Sequence, residues 1–130
     1  MLIHLDPTNR VPVYQQLINQ VKRHIATGTL KPGDRLPAVR ELALLVLVNP
    51  NTIQKAYTDL ADAGLIHSRK GQGVFVSELR STLSKDERTR RSVEATDQYI
   101  TDLLMLGLGL DEVQGLVAAR ARRFEREEKR

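Results

Sequence analysis

Two segments that read as helices, from about Pro37 to Leu47 and from about Pro50 to Ala63, are separated only by Val48 and Asn49. So short a connection forces the second helix to leave the first at a sharp angle, and that is a helix-turn-helix. The junction is well marked chemically. Asn49 can cap the second helix through its side-chain oxygen, and Pro50 then takes the first helical position, where its missing N–H costs nothing. Ile53, Ala56, Tyr57 and Leu60 fall on one face of this helix, and Gly64 ends it.

The flanks extend the pattern. Val13, Leu17, Val21 and Ile25 recur at helical spacing behind Pro12, Gly28 stops that helix, and Leu30-Lys31-Pro32-Gly33-Asp34 reads as a turn. After Gly64, the runs Leu65 to Arg69 and Val74-Phe75-Val76 enclose Lys70-Gly71-Gln72-Gly73, which predicts a hairpin with basic residues at its tip. Residues 80–92 hold five Lys or Arg and two acids and read as a junction or a frayed helix start. From about Ser92, Val93, Ile100, Leu103 and Leu104 line one helix that stops near Gly107. A second begins after Gly109, with Asp111 and Glu112 in its first turn, Leu108 poised against Val113, and Val113, Leu116, Val117, Ala121 and Phe124 on its apolar face. So little chain is left to cover these stripes that a seam between two subunits is the expected use of Val93, Ile100, Leu103, Leu104, Val113, Leu116 and Val117. The fold class expected is mainly α with a small β-hairpin: a winged helix-turn-helix over 1–79, then a two-helix dimerisation tail over 80–130.

Composition narrows the function. At 130 residues the chain has room for one compact domain and an appendage. Aromatic residues make up 4%, with no Trp, which leaves little for stacking single-stranded bases. Without Cys there is no disulfide or thiolate metal site, and His4, His24 and His67 are scattered, so no metal or other cofactor is expected. No apolar run reaches the roughly 18 residues of a membrane span, and no export signal opens the sequence, so a cytoplasmic protein without membrane contact is expected. No paired carboxylates, Ser/His/Asp set or cofactor lysine suggests an enzyme. The net charge of +4 points mildly to a polyanionic partner.

From residue 11 to 77 the order PGDRLP, RELA, VNPNT, AY, GLI and RKGQGVFV resembles the GntR family of regulators, and VNPNT followed by a short helical tail resembles its YtrA subfamily. The resemblance implies a homodimer, acting as a repressor, on double-stranded operator DNA with inverted-repeat half-sites. It also implies contacts. Arg40, Asn49, Pro50, Asn51, Thr52 and Gln54 match positions at which the family meets DNA, and Lys70 and Gly71 match the wing tip laid in or beside the minor groove. Arg35 and Lys55 are expected at phosphates, which position a protein without reading sequence. Asn and Gln are suited to adenine, and Arg40 to guanine or a phosphate. The free N–H groups of a helix start are a further expected phosphate site. No residue pattern argues for a small-molecule effector site.

Three departures stand out. Ala38 replaces the usual capping Ser before RELA, and Pro50 stands where many relatives place a DNA-reading Arg. Leu44, Leu45 and Leu47 occupy positions that are commonly polar, and such a stripe needs cover from the tail or a second subunit. The competing reading is a winged helix that docks proteins and binds no specific DNA.

Overall fold

The computed structural model describes residues 2–78 and 83–128. Their elements are α1 (Val13–Ala26), β1 (Arg35–Leu36), α2 (Val39–Val46), α3 (Pro50–Asp62), β2 (Ile66–Arg69), β3 (Gly73–Val76), α4 (Lys85–Met105) and α5 (Leu110–Glu128). Contacts divide them into two units, one holding α1 to β3 and the other α4 and α5.

In the first unit the apolar faces meet in one core. Leu17 and Val21 of α1, Leu36 of β1, Ile53, Ala56 and Leu60 of α3, and Val76 of β3 are almost completely buried. Each large side chain among them contributes about 1.5 to 3 kcal/mol through loss of apolar surface to water. The fold is therefore the winged helix-turn-helix that the spacing predicted.

The wing is more than a hairpin. Three antiparallel strands lie in the order β1-β3-β2, with Arg35 opposite Phe75 and His67 opposite Phe75 on the other side. The turn before β1 closes on itself, since Asp34 N–H donates to the Lys31 carbonyl and Lys31 N–H to the Asp34 carboxylate. Gly33 N–H then donates to the Val76 carbonyl, and Val76 N–H to that of Asp34. The turn thus delivers Arg35 and Leu36 to the open edge of β3. A two-residue strand is too short to show alternation, which is why the sequence did not reveal it.

A second feature escaped periodicity. Gln16 accepts from Asp6 N–H and donates to the Asp6 carbonyl, both at 2.8 Å, and Gln20 makes the same pair of bonds to His4 at 2.9 and 2.6 Å. One turn further on, His24 Nε2 lies 2.9 Å from the Leu2 carbonyl. Three side chains one helical turn apart hold the leading segment to α1 as a strand would.

Helix α2 ends at Val46, one residue before the expected stop, and Leu47 caps it in the left-handed region at φ 56°. No side chain caps the start of α2 at Ala38, as the loss of Ser implied. Helix α3 ends at Asp62, with Ala63 as its cap.

In the second unit, α4 begins at Lys85, not near Ser92. Ser84 Oγ accepts from Glu87 N–H at 3.1 Å, and Glu87 pairs with Arg90 and Arg91, while Arg90 also reaches Glu94. These two arginines hold the Glu87 carboxyl below its usual pKa. Of the two readings of residues 80–92, a junction or a frayed helix start, the described residues from Lys85 show a helix start, solvated and ion-paired, and residues 80–82 lie outside the described residues. At the head of α5, Gly109 N–H donates to Glu112 at 3.1 Å, closing the cap that Gly109 was expected to form. Val113 is buried between the helices, whereas Tyr99, Val117 and Phe124 line an open apolar groove along them.

Candidate nucleic-acid interface

Helix α3 turns Ile53, Ala56, Tyr57 and Leu60 inward and leaves Pro50, Asn51, Gln54, Lys55 and Thr58 open to solvent, with Thr52 half-buried. The tilt of the helix is pinned at mid-length, where the Tyr57 hydroxyl donates to the Pro37 carbonyl at 2.7 Å. Burial pushes the Tyr57 phenol pKa up, and the Glu41 carboxylate adds to the rise.

At the leading end, the Asn49 side chain accepts from Asn51 N–H at 2.8 Å and its carbonyl accepts from Thr52 N–H at 3.0 Å. Pro50 has no N–H to offer. The helix start therefore has few free backbone donors, contrary to the expected phosphate site, and what it offers to solvent is side chains. Asn49 is committed as a cap through its oxygen. The exposed side chains are Pro50 and Asn51, followed one turn on by Gln54, whose amide reaches Thr58 at 3.3 Å.

Arg40, in the first turn of α2, is exposed and shares an open recess with Ala43, Leu44, Val48 and Pro50. Lys55 lies with its ammonium 3.7 Å from the centre of the Tyr14 ring, a cation–π contact that places a positive charge where α1 and α3 meet. On the sheet, Lys70 and Gly71 form the exposed tip, closed by Gln72 N–H donating to the Arg69 carbonyl at 2.9 Å. The Arg35 side chain lies against Gly73, the residue that leads into β3 from the wing tip. A Cβ at Gly73, whose φ is +120°, would meet Arg35 Nε at 2.9 Å.

The residues matched by the family model described as bacterial regulatory proteins, gntR family, are 13–76, the span that folds as the winged helix. The HTH-type transcriptional repressor YtrA of Bacillus subtilis (strain 168) is 38% identical over 112 residues, covering 86% of each chain. The chain belongs to the GntR family.

Solved structures agree. A protein described as a transcriptional antiterminator from Listeria monocytogenes EGD-e superimposes with a TM-score of 0.81 at 26% identity, covering 96% of this chain and 93% of that one. The DNA-binding domain of AraR, crystallised with operator ORX1, is 31% identical with a TM-score of 0.51, covering 58% of this chain and all of that one.

In this GntR protein the fold gathers the expected residues into two groups, Arg40 with Asn49 to Lys55 at the helix-turn-helix and Arg35 with Lys70 and Gly71 on the wing. Sequence reasoning passed over Arg69. Its guanidinium lies 4.4 Å from the Phe75 ring centre, which adds Arg69 to Arg35 and Lys70 as the cations of the wing. The pairing of Arg69 with Gly73 across the hairpin, two residues before Phe75, was the available signal. Leu44, Leu45 and Leu47 are 77%, 71% and 89% exposed. Of the residues expected at the seam, Val113 is buried, Ile100 and Leu103 are half-buried, and Val93, Leu104, Leu116 and Val117 are exposed.

Proposed function

We propose that this GntR protein is a repressor that binds operator DNA as a homodimer in the cytoplasm, the open start of α3 in each subunit entering the major groove of one inverted-repeat half-site. The observation that carries the reading is the exposed pair Asn51 and Gln54, held on a helix whose opposite face is locked in the core, with Arg40 exposed on α2 and sharing a recess with Pro50. An α-helix fits the major groove, and Asn and Gln match the adenine edge there. Lys70, Arg35 and Arg69 give the wing the positive charge needed beside phosphates. The repressor name of the Bacillus relative and the operator bound by the AraR domain support the same reading. The tail, residues 80–130, supplies the dimer contact, a reading supported by the apolar groove that Tyr99, Val117 and Phe124 line and by the exposure of Val93, Leu104 and Leu116.

The test is a fluorescence titration on duplexes selected by the full chain from a random library. Arg40→Ala and Asn51→Ala should each weaken specific binding by about 1 to 3 kcal/mol and relax selectivity at one position of each half-site. Unchanged specific affinity in both variants would remove this assignment. Absence of any salt-dependent duplex binding would favour instead a protein-docking role for the exposed Leu44, Leu45 and Leu47.

A further inference from the structure

The recess bounded by Arg40, Ala43, Leu44, Val48 and Pro50 opens between the first turn of α2 and the first turn of α3. Apart from the Arg40 guanidinium, its walls are hydrocarbon side chains. Pro50 contributes a ring and no donor, and the next two amides, of Asn51 and Thr52, are already bonded to Asn49. Leu44 stands 77% exposed one helical turn from Arg40. Asn51 is exposed and directly follows Pro50, so a helix that sets Asn51 against base edges, as proposed above, brings the recess to the same groove.

Base edges in the major groove present donors and acceptors at every position, with one apolar group among them, the thymine 5-methyl. An amino group or a carbonyl pressed into this recess would lose water and find no partner. A methyl would lose only unfavourable hydration. We infer that the recess receives a thymine 5-methyl in each half-site, which makes Pro50 and Leu44 specificity-determining residues, with Arg40 at the rim holding an acceptor on an adjoining nucleotide. The inference rests on the DNA-binding reading. Where a guanidinium at the head of α3 would demand acceptors, Pro50 demands an apolar edge.

The test removes the methyl and nothing else. In a duplex selected by the full chain from a random library, each thymine is replaced in turn by deoxyuridine and the affinity is measured by titration. One thymine in each half-site should lose about 4-fold in affinity on replacement, the value of one buried methyl. In Leu44→Ala and Pro50→Ser the ratio of thymine to uracil affinity at that position should fall toward one. Uracil tolerated at every position by the wild-type chain, or a penalty that persists undiminished in both variants, would overturn the inference while leaving DNA binding intact. A chain that selects no duplex at all would overturn both.

Discussion

The Tyr57 hydroxyl donates to the Pro37 carbonyl at 2.7 Å, joining the middle of α3 to the residue two before α2. The bond sets the angle at which α3 stands out from the domain. Tyr57→Phe should lower stability by about 1 kcal/mol, seen as a shift of the urea midpoint at unchanged slope. The wild-type alkaline limb supplies a second readout. Burial raises the phenol pKa in the folded chain above the unfolded value near 10, so the folded state keeps a proton that the unfolded state releases. That contribution is whole below about pH 10 and is lost as pH rises above it. The stability gap between wild type and Tyr57→Phe should therefore narrow from pH 8 to 11, and a constant gap would contradict the assignment.

Leu47 occupies the left-handed region at φ 56° with 89% of its surface exposed. A non-glycine residue there is strained by about 1 to 2 kcal/mol, and little packing is at stake in removing the side chain. Against the extra freedom that glycine gives the unfolded chain, Leu47→Gly should still stabilise by about 0.5 to 1 kcal/mol in urea unfolding. A loss of stability would show that Leu47 makes a contact, and would implicate the Leu44-Leu45-Leu47 surface in packing against another protein surface.

The tail is expected to pair subunits through the groove that Val117, Tyr99 and Phe124 line. Val117→Glu should shift sedimentation from dimer to monomer with far-UV helicity retained, because Val117 is 48% exposed. Binding to a two-half-site duplex should drop toward that of a single half-site, as the second contact ceases to be intramolecular. A variant that stays dimeric would place the subunit contact elsewhere.

On the wing, Lys70→Ala should weaken binding to specific and random duplexes alike and reduce the slope of log affinity against log salt by about 1. A loss confined to one operator position would make Lys70 a base reader instead of a phosphate contact.

Much of this was legible in the sequence wherever one physical rule acted locally. The break at Val48-Asn49-Pro50 gave the helix-turn-helix because a cap and an N1 proline leave few alternatives, and the Ile53 to Leu60 spacing chose the buried face. A local signal also existed where the start of α4 was expected too late: Ser84 and Glu87 form a cap three residues apart, among the Arg and Lys that read as a junction or a frayed helix start. What sequence did not carry were contacts between distant segments. Strand β1 exists only because Val76 lies beside Asp34, and Lys55 sits over Tyr14 through the packing of α1 on α3. Pro50 and Arg40 were each visible as positions, but the recess they share depends on the angle between two helices.

Operator binding of the proposed kind requires the leading ends of two α3 helices to enter the major groove of one duplex. Methylation interference on a selected duplex tests this directly, since guanine N7 lies in the major groove and adenine N3 in the minor. The prediction is two clusters of blocking N7 methylations, one per half-site, about 34 to 36 Å apart or a multiple of that. A single cluster, or interference from N3 methylation alone, would contradict it.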